Sequence, residues 1–513
     1  MNRTKRFVGG VGFGYANQLI ITLGGLWVTP FLLHRIGQRD YGLWLAGTQI
    51  LTYLTLMDFG VITLLPRETA YATGRAGGWN RAIDLPEILG RTAKLVLWQL
   101  PVIGIGAMAL WFSVPPDWEA LRQPAGIILI AFTLTFPFRI LPAVLQGLQD
   151  LIFLGQIQVF SSLANLAVVV ALVFLGWGLY ALAAGWIAAQ VTLAAISFLR
   201  IRARFPGVLP SRLPRLPRAI AREQLQRGVW VTVSQIAQVL LNGTDVVIIG
   251  RMFGPSAIVP YVFTGKLITV LSNQPQMLIQ AAGPALSEMK TGETSERQLQ
   301  ACHALSQATL LVSGAVAAVV LLVNRGFITW WVGANQYSGF TLSALLLLAM
   351  LLRHWNNPLV YAIFCFGGER RIALTGLCDG IVTLGTSILF VWLFGAIGAP
   401  LGSILGVLLV SLPANLLGLA RGSGHRVAEL MRAPGPWFWR FAMLAPGIAL
   451  ITRYWVPSTF ISLAAAVMLI GSVYAAVMIP AALKNPLGIY TLLRLLALRA
   501  KLFGAPVLSG ADA

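Results

Sequence analysis

Apolar residues arrive in this chain in blocks of about 20 to 25, and no other feature of the sequence restricts the fold as strongly. A helix rises about 1.5 Å per residue, so a block of this length covers the roughly 30 Å hydrocarbon core of a bilayer. Inside lipid every backbone N–H and C=O must be satisfied within the protein, which leaves helices and closed barrels as spanning structures. Blocks this long are helices. Only 11% of the 513 residues are charged, against roughly 25% in soluble globular domains. The chain therefore reads as an all-α integral membrane protein with about 14 transmembrane helices.

The predicted helices lie near 7–33, 41–64, 95–114, 124–148, 151–174, 177–199, 228–250, 256–284, 301–323, 340–366, 372–394, 397–420, 437–452 and 459–483. The first follows a basic hexapeptide, as a signal peptide would, but it is too long for an h-region and no A-x-A-like site follows, so it reads as an uncleaved helix. Cys302, Cys365 and Cys378 have no C-x-x-C spacing and lie in or beside apolar stretches. They indicate neither a metal nor a disulfide framework, and no cofactor motif is present.

A net charge of +20 would suggest nucleic acid in a soluble protein, but here the charge follows topology. With the N-terminus inside, inner segments hold 28 of the 37 Lys and Arg, and outer loops hold six: Arg35, Arg39, Arg122, Arg251, Arg325 and Arg453. That is the positive-inside bias, and it places both termini in the cytoplasm. The basic balance points to anionic lipid head groups and excludes a need for nucleic acid. Eight of the inner arginines lie in the Pro-rich segment 200–227, read as a cytoplasmic linker resting on the inner leaflet through Phe205, Leu209, Leu213 and Leu216.

The linker follows six helices, where a duplicated bundle would be joined. A shift of 217 residues sets Asn17-Gln18-Leu19-Ile20 against Ser234-Gln235-Ile236-Ala237 and Arg35-Ile36-Gly37 against Met252-Phe253-Gly254. Equal orientation of the two halves makes the repeat parallel. The expected architecture is an N-lobe at 1–200, the linker at 201–227 and a C-lobe at 228–420, the two six-helix lobes related by a pseudo-two-fold. Two extra helices at 421–483 and a cytoplasmic tail at 484–513 complete it.

Enzyme motifs are absent: there is no H-E-x-x-H, G-x-S-x-G or P-loop, and the four histidines are far apart in sequence. Polar material at membrane depth is more telling, because an ionisable residue at a helix centre costs about 2.5–3.5 kcal/mol on insertion scales. Arg139, Lys266 and Arg353 are such residues, on helices of the same direction, each with a proline a few positions later (Pro142, Pro275, Pro358). Kinked polar helices line cavities, so the three are candidate substrate-binding cations in a hydrated interior. The structural alternative is that Asp58, Asp245 and Asp379 neutralise them as interhelical pairs. Asn242, Asn273, Gln274, Asn356 and Asn357 read as interhelical glue, and Trp330-Trp331 and Trp437-Phe438-Trp439 as interfacial belt.

Certain motifs resemble a known family. G-x-G-Y-A-N-Q at Gly12–Gln18, P-F-L-L-x-R-I-G-x-x-x-Y-G-L-W at Pro30–Trp44 and D-F-G at Asp58–Gly60 are similar to the first helices of bacterial polysaccharide and O-antigen flippases. So are L-Q-G-L-Q at Leu145–Gln149 and T-D-V-V-I-I-G-R-M-F-G at Thr244–Gly254. These flippases belong to the multidrug, oligosaccharidyl-lipid and polysaccharide exporter superfamily, and the resemblance covers about residues 8–420. It implies alternating-access translocation of an undecaprenyl-diphosphate-linked oligosaccharide to the outer leaflet of the bacterial inner membrane, for O-antigen, capsule or exopolysaccharide synthesis. Polysaccharide polymerase machinery would be a partner. Coupling to Na⁺ or H⁺ would fall to Asp58 and Asp245. A multidrug exporter of the same superfamily, whose cavity should be acidic, and a non-transporting scaffold of polysaccharide assembly are the alternatives.

Overall fold

The computed structural model describes residues 3–488, apart from 55–57, 77, 211, 293, 367 and 433; the predicted tail from 489 onward lies outside them. Among the described residues the secondary structure is wholly helical. The chain divides into two compact units, Met1–Val259 and Pro260–Ala513.

The first unit begins with α1 (Arg3–Leu54), which is continuous in name only. Thr29 Oγ1 and Tyr41 Oη are 3.3 Å apart, whereas twelve residues of straight helix would separate their Cα atoms by about 18 Å. The chain folds back at Gly37, whose φ of 79° and ψ of 166° lie in a region essentially reserved for glycine. The two limbs are the first two predicted spans. The second limb ends earlier than predicted, because Asp58-Phe59-Gly60 turns the chain with two successive left-handed residues, Phe59 at φ 48° and Gly60 at φ 71°.

Beyond this turn a helix, α2 (Val61–Arg75), occupies a segment whose composition predicts mainly a loop. Its sequence does not announce a helix because only one stripe is apolar, Val61, Ile62, Leu65 and Ala72 being buried while Arg67 and Arg75 point away. Next come α3 (Leu85–Phe112), α4 (Glu119–Thr135), α5 (Ile140–Gly147), α6 (Leu151–Phe174) and α7 (Tyr180–Arg204). The break between α5 and α6 falls at the predicted Gln149-Asp150, with Gln149 at φ 61°. One core joins α2, α3, α4, α5 and α7 through Leu65, Leu85, Val96, Ile103, Phe132, Val144 and Ile201.

The Arg/Pro-rich linker corrects one expectation. Phe205, Val208 and Leu216 are buried in that same core and Leu209 packs beside it, while Leu213 alone of the four expected leaflet contacts is exposed. Gly90 of α3 has no side chain to hold the linker away, so Pro210 and Pro214 close on it, and Lys94 Nζ donates to Pro214 O at 3.3 Å. Apart from Leu213, the linker's apolar residues thus face protein.

Helix α8 (Arg218–Asn242) begins inside the predicted linker; α9 (Asp245–Phe253) follows, bent from it by 46°, and then α10 (Pro255–Leu271), inside which the unit boundary falls. The second unit continues with α11 (Asn273–Gly292), α12 (Ser295–Trp331), α13 (Phe340–Cys365), α14 (Glu369–Phe394), α15 (Gly398–Gly406), α16 (Leu412–Ser423), α17 (Val427–Leu430), α18 (Gly435–Tyr454) and α19 (Phe460–Ala482). The chain reverses at Gly395, φ 70°. A row of glycines then packs on α14: Gly398 meets the Phe390 backbone, Gly402 meets Ser387 and Gly406 meets Thr383. One glycine per helical turn lets the two backbones approach as small-residue interfaces do in membranes.

Among the described residues nine helical segments are long and apolar enough to cross a membrane, or ten if α8 and α9 form one span. Two of the nine, Asn17–Leu54 and Glu369–Ser423, each contain a fold-back, at Gly37 and at Gly395. α13 is not among the nine, because the run Arg353-His354-Trp355-Asn356-Asn357 interrupts its apolar sequence.

Candidate functional site

Asp58, buried to 1% exposure, organises the polar interior of the first unit. Its carboxylate accepts from Ile62 N at 2.8 Å, Thr63 N at 3.0 Å and Thr63 Oγ1 at 2.5 Å. These are orphan donors at the start of α2, so Asp58 caps that helix from two residues before its glycine turn. Gln235 of α8 donates to Thr63 Oγ1 at 3.2 Å, and Gln99 of α3 donates to Asp58 O at 3.4 Å. The turn also sits glycine to glycine against α8, Gly60 at Gly228. The closeness of those backbones is what puts Gln235 within reach.

Arg139 lies within electrostatic range of Asp58 but outside this hydrogen-bond network. It ends a 3-10 turn, Phe136–Arg139, that separates α4 from α5. Pro137 lacks an N–H and breaks the α-helical ladder there, one turn before the predicted Pro142. The guanidinium stands over the rings of Phe136 and Phe132, 5.5 and 5.8 Å from their centroids. Its Nη1 is buried and has no hydrogen-bond partner among the described residues; the same holds for Gln99 Oε1 and Gln235 Oε1 in the neighbouring network. Native interiors rarely leave such groups orphaned, and several close together mark a place that takes up water or a polar ligand.

Lys266 lies on α10, half-buried, with no hydrogen bond or ion pair among the described residues. The helix is fixed two residues earlier, where Asn324 Nδ2 donates to Thr264 O at 2.9 Å and Ser338 N donates to Thr264 Oγ1 at 2.9 Å. A break separates α10 from α11, near the predicted Pro275.

Arg353 differs from the other two cations. Its Nη1 pairs with Asp379 Oδ2 at 3.2 Å, its Nε donates to Ser403 Oγ at 2.9 Å, and Nη2 reaches Thr383 Oγ1 and Ser403 O at 3.4 Å. Thr383 in turn donates to Asp379 Oδ1 at 3.0 Å. This joins α13, α14 and α15 through an interhelical ion pair, the structural alternative for this cation, and α13 runs through Pro358 without a break. A π-helical turn at Val407–Ser411 comes directly after α15. The structure thus places Arg139 in one unit and Lys266 and Arg353 in the other.

Asp245 is the first residue of α9, at the positive end of the helix dipole, and lies within electrostatic range of Tyr53, whose hydroxyl donates to Gly243 O at 2.6 Å. Asn356 and Asn357 bond across helices, to Asn415 at 2.9 Å and Gln276 at 3.1 Å, whereas Asn242 bonds within its own helix to Gln238. Sequence reasoning missed Ser403, Thr383 and the buried Ser313–His354 contact at 2.8 Å. For Ser403 the signal was present in the Gly398, Gly402, Gly406 spacing around it. No group of His, Cys, Asp and Glu among the described residues could hold a metal ion.

Residues 121–340, which include Arg139, Asp245 and Lys266, match the model of a family described as polysaccharide biosynthesis protein. No curated protein matches the sequence. The fold is similar to that of the lipid II flippase MurJ in an inward closed conformation: TM-score 0.65, 9% identity, 92% of this chain and all of that one covered. It is similar also to an inward-facing multidrug resistance MATE family transporter of the MOP superfamily: TM-score 0.60, 14% identity, covering 81% and 96%. A MATE transporter in complex with MaL6 gives 0.54 at 14% identity, covering 84% and 98%. The chain is a multi-pass helical membrane protein that shares the fold of these solved structures, which are transporters and not enzymes.

Proposed function

We propose that the protein moves a lipid-linked, diphosphate-bearing oligosaccharide across the bacterial inner membrane, from the inner to the outer leaflet. The observation that carries this reading is the buried Nη1 of Arg139, without a hydrogen-bond partner among the described residues, at a helix break and within electrostatic range of a carboxylate already occupied by α2. A cation kept at membrane depth without a partner offsets the desolvation of an incoming anion. Lys266 offers a second such charge, and both lie inside the region that matches the polysaccharide-biosynthesis family. A substrate whose lipid tail stays in the bilayer needs only its head group enclosed.

The test is delivery of lipid-linked glycan to the outer leaflet, read with an impermeant lectin. Arg139→Ala and Lys266→Ala should abolish delivery with protein abundance near wild type, and Arg139→Lys should retain part of it, because charge survives while the fork is lost. Wild-type delivery by both Ala variants would defeat the proposal. Likeness to MATE transporters favours drug export as the second reading; there, Arg139→Ala should leave glycan delivery intact and alter resistance to organic cations. Asp58 and Asp245 are the proposed coupling residues. If Asp58→Asn and Asp245→Asn proteins keep the wild-type dependence on a Na⁺ or H⁺ gradient, both residues serve packing alone.

A further inference from the structure

At one end of the second unit the last turns of α12 and α18 meet the first turn of α13 around a cavity of about 800 Å³. Arg325 and Thr329 reach it from α12, Tyr337 from the loop after that helix, and Thr452, Arg453 and Trp455 from the end of α18. The frame is fixed by close packing: Gly326 seats directly on the Pro457 backbone, Phe327 stacks on Trp331 at 5.4 Å, and Trp330 meets Phe460 at 6.0 Å.

The charge of this cavity has nothing to balance it. Neither arginine has an ion-pair partner among the described residues. The sequence contains no Asp or Glu between Glu296 and Glu369, and none between Glu429 and Asp512, so α13, α18, α19 and all of α12 beyond its first turn lack an acid. The first turn of α13 opens on the cavity at Gly339 and Phe340, adding the positive end of a 26-residue helix. In the topology read from the sequence, Arg325 and Arg453 are also two of only six outer-loop cations, on the side that membrane proteins keep poor in Lys and Arg. Two solitary arginines, distant in sequence and converging on one cavity, are more than scattered surface charge.

We propose that this cavity binds the phosphate of a lipid. Guanidinium forks suit a phosphate ester, and the Tyr337 hydroxyl, which accepts from Ser343 Oγ, keeps its proton to donate, whereas the Thr329 and Thr452 hydroxyls donate to Arg325 O and Ala449 O of their own helices. The apolar part of the wall, Leu321, Leu322 and Phe340 among it, would take the first carbons of a chain that a free anion lacks. The phosphate could belong to a phospholipid head group or to a prenyl diphosphate, and the site stands independently of the transport reading.

Native mass spectrometry of the full chain in detergent tests this with three probes: short-chain phosphatidylglycerol, farnesyl diphosphate and inorganic pyrophosphate. At least one lipid should bind about tenfold or more tightly than pyrophosphate, and the Arg325→Gln/Arg453→Gln protein should lose about tenfold or more in that affinity. Arg325→Lys/Arg453→Lys should keep most of it, and Thr452→Trp, which fills the cavity without removing charge, should lose it. Preference for phosphatidylglycerol assigns the site to a membrane phospholipid, and preference for farnesyl diphosphate to a prenyl carrier. Unchanged lipid affinity in the thermally stable double Gln protein, pyrophosphate bound as tightly as either lipid, or no lipid bound by the wild type would each overturn the proposal.

Discussion

Gly37 and Gly254, 217 residues apart, hold nearly the same backbone conformation, φ 79° and ψ 166° against φ 86° and ψ 165°. That interval is the shift at which the two halves of the sequence show their faint similarity. The two turns also touch: Gln38 Nε2 donates to Ser256 O at 2.9 Å, and Gly42 lies against the Pro255 backbone. The segments that follow these two glycines thus contact one another within the first unit.

Both turns depend on glycine for backbone reasons alone. A Cβ at either position would meet nothing within 4 Å, yet the conformation is closed to other residues. Gly37→Ala and Gly254→Ala should each destabilise the protein by about 1–3 kcal/mol. Gly25→Ala, in open space on a helix, should be neutral or slightly stabilising. Thermal unfolding in detergent measures all three, and equal midpoints for the three variants would show that the turns carry no strain.

The Arg353–Asp379 pair makes a different kind of prediction. Removing one partner strands a buried charge, so Arg353→Ala and Asp379→Ala should each cost about 3–5 kcal/mol and reduce the amount of protein in the membrane. Arg353→Met/Asp379→Leu, which removes both charges and keeps volume, should restore most of that amount. A double variant as scarce as the singles would mean that volume and hydrogen bonding, not charge pairing, matter at this position.

Between α14 and α15 the backbones meet too closely for any side chain. Gly402→Val must displace Ser387 and the α14 backbone and should cost about 1–3 kcal/mol or more. Gly385→Val, where a Cβ meets nothing, should cost less than about 1 kcal/mol. Comparing the two by urea or thermal titration checks the packing directly.

Topology is set by the distribution of Lys and Arg and is open to reporter fusions. Reporters placed after Asp117 and Gln336 should report the outer side, and those placed after Arg212 and Lys484 the cytoplasm. An external signal at Arg212 would invert the assignment of every loop.

Much of the fold was legible because lipid makes a simple demand: long apolar runs, interrupted near Gly37, Gln149 and Gly395, can only be helices and turns. What stayed hidden was set by neighbours. Helix α2 carries too few apolar residues to stand out, and the linker's Phe205 and Leu216 look lipid-seeking until Gly90 is seen to leave room for their segment. Among the candidate cations the sequence presented three equals. Only geometry separates Arg353, held by Asp379 and Ser403, from Arg139, which keeps a nitrogen without a partner among the described residues. Spacing cannot show that difference, because Asp379 lies 26 residues from Arg353 on a different helix.

The ion pair of Arg353 has an expected consequence for biogenesis. A nascent α13 reaches the translocon carrying an arginine, a histidine and two asparagines in a row of five, while its counter-charge is still unmade. Alone, that arginine sets about 2.5–3.5 kcal/mol against insertion. Asp379 arrives 26 residues later on the next helix, so the two segments favour entering the bilayer together, as a hairpin already neutral at its centre. A chain truncated after Phe366 and released from the ribosome should leave α13 open to alkaline extraction, and one truncated after Phe394 should hold it fast unless Asp379 is replaced by Ala.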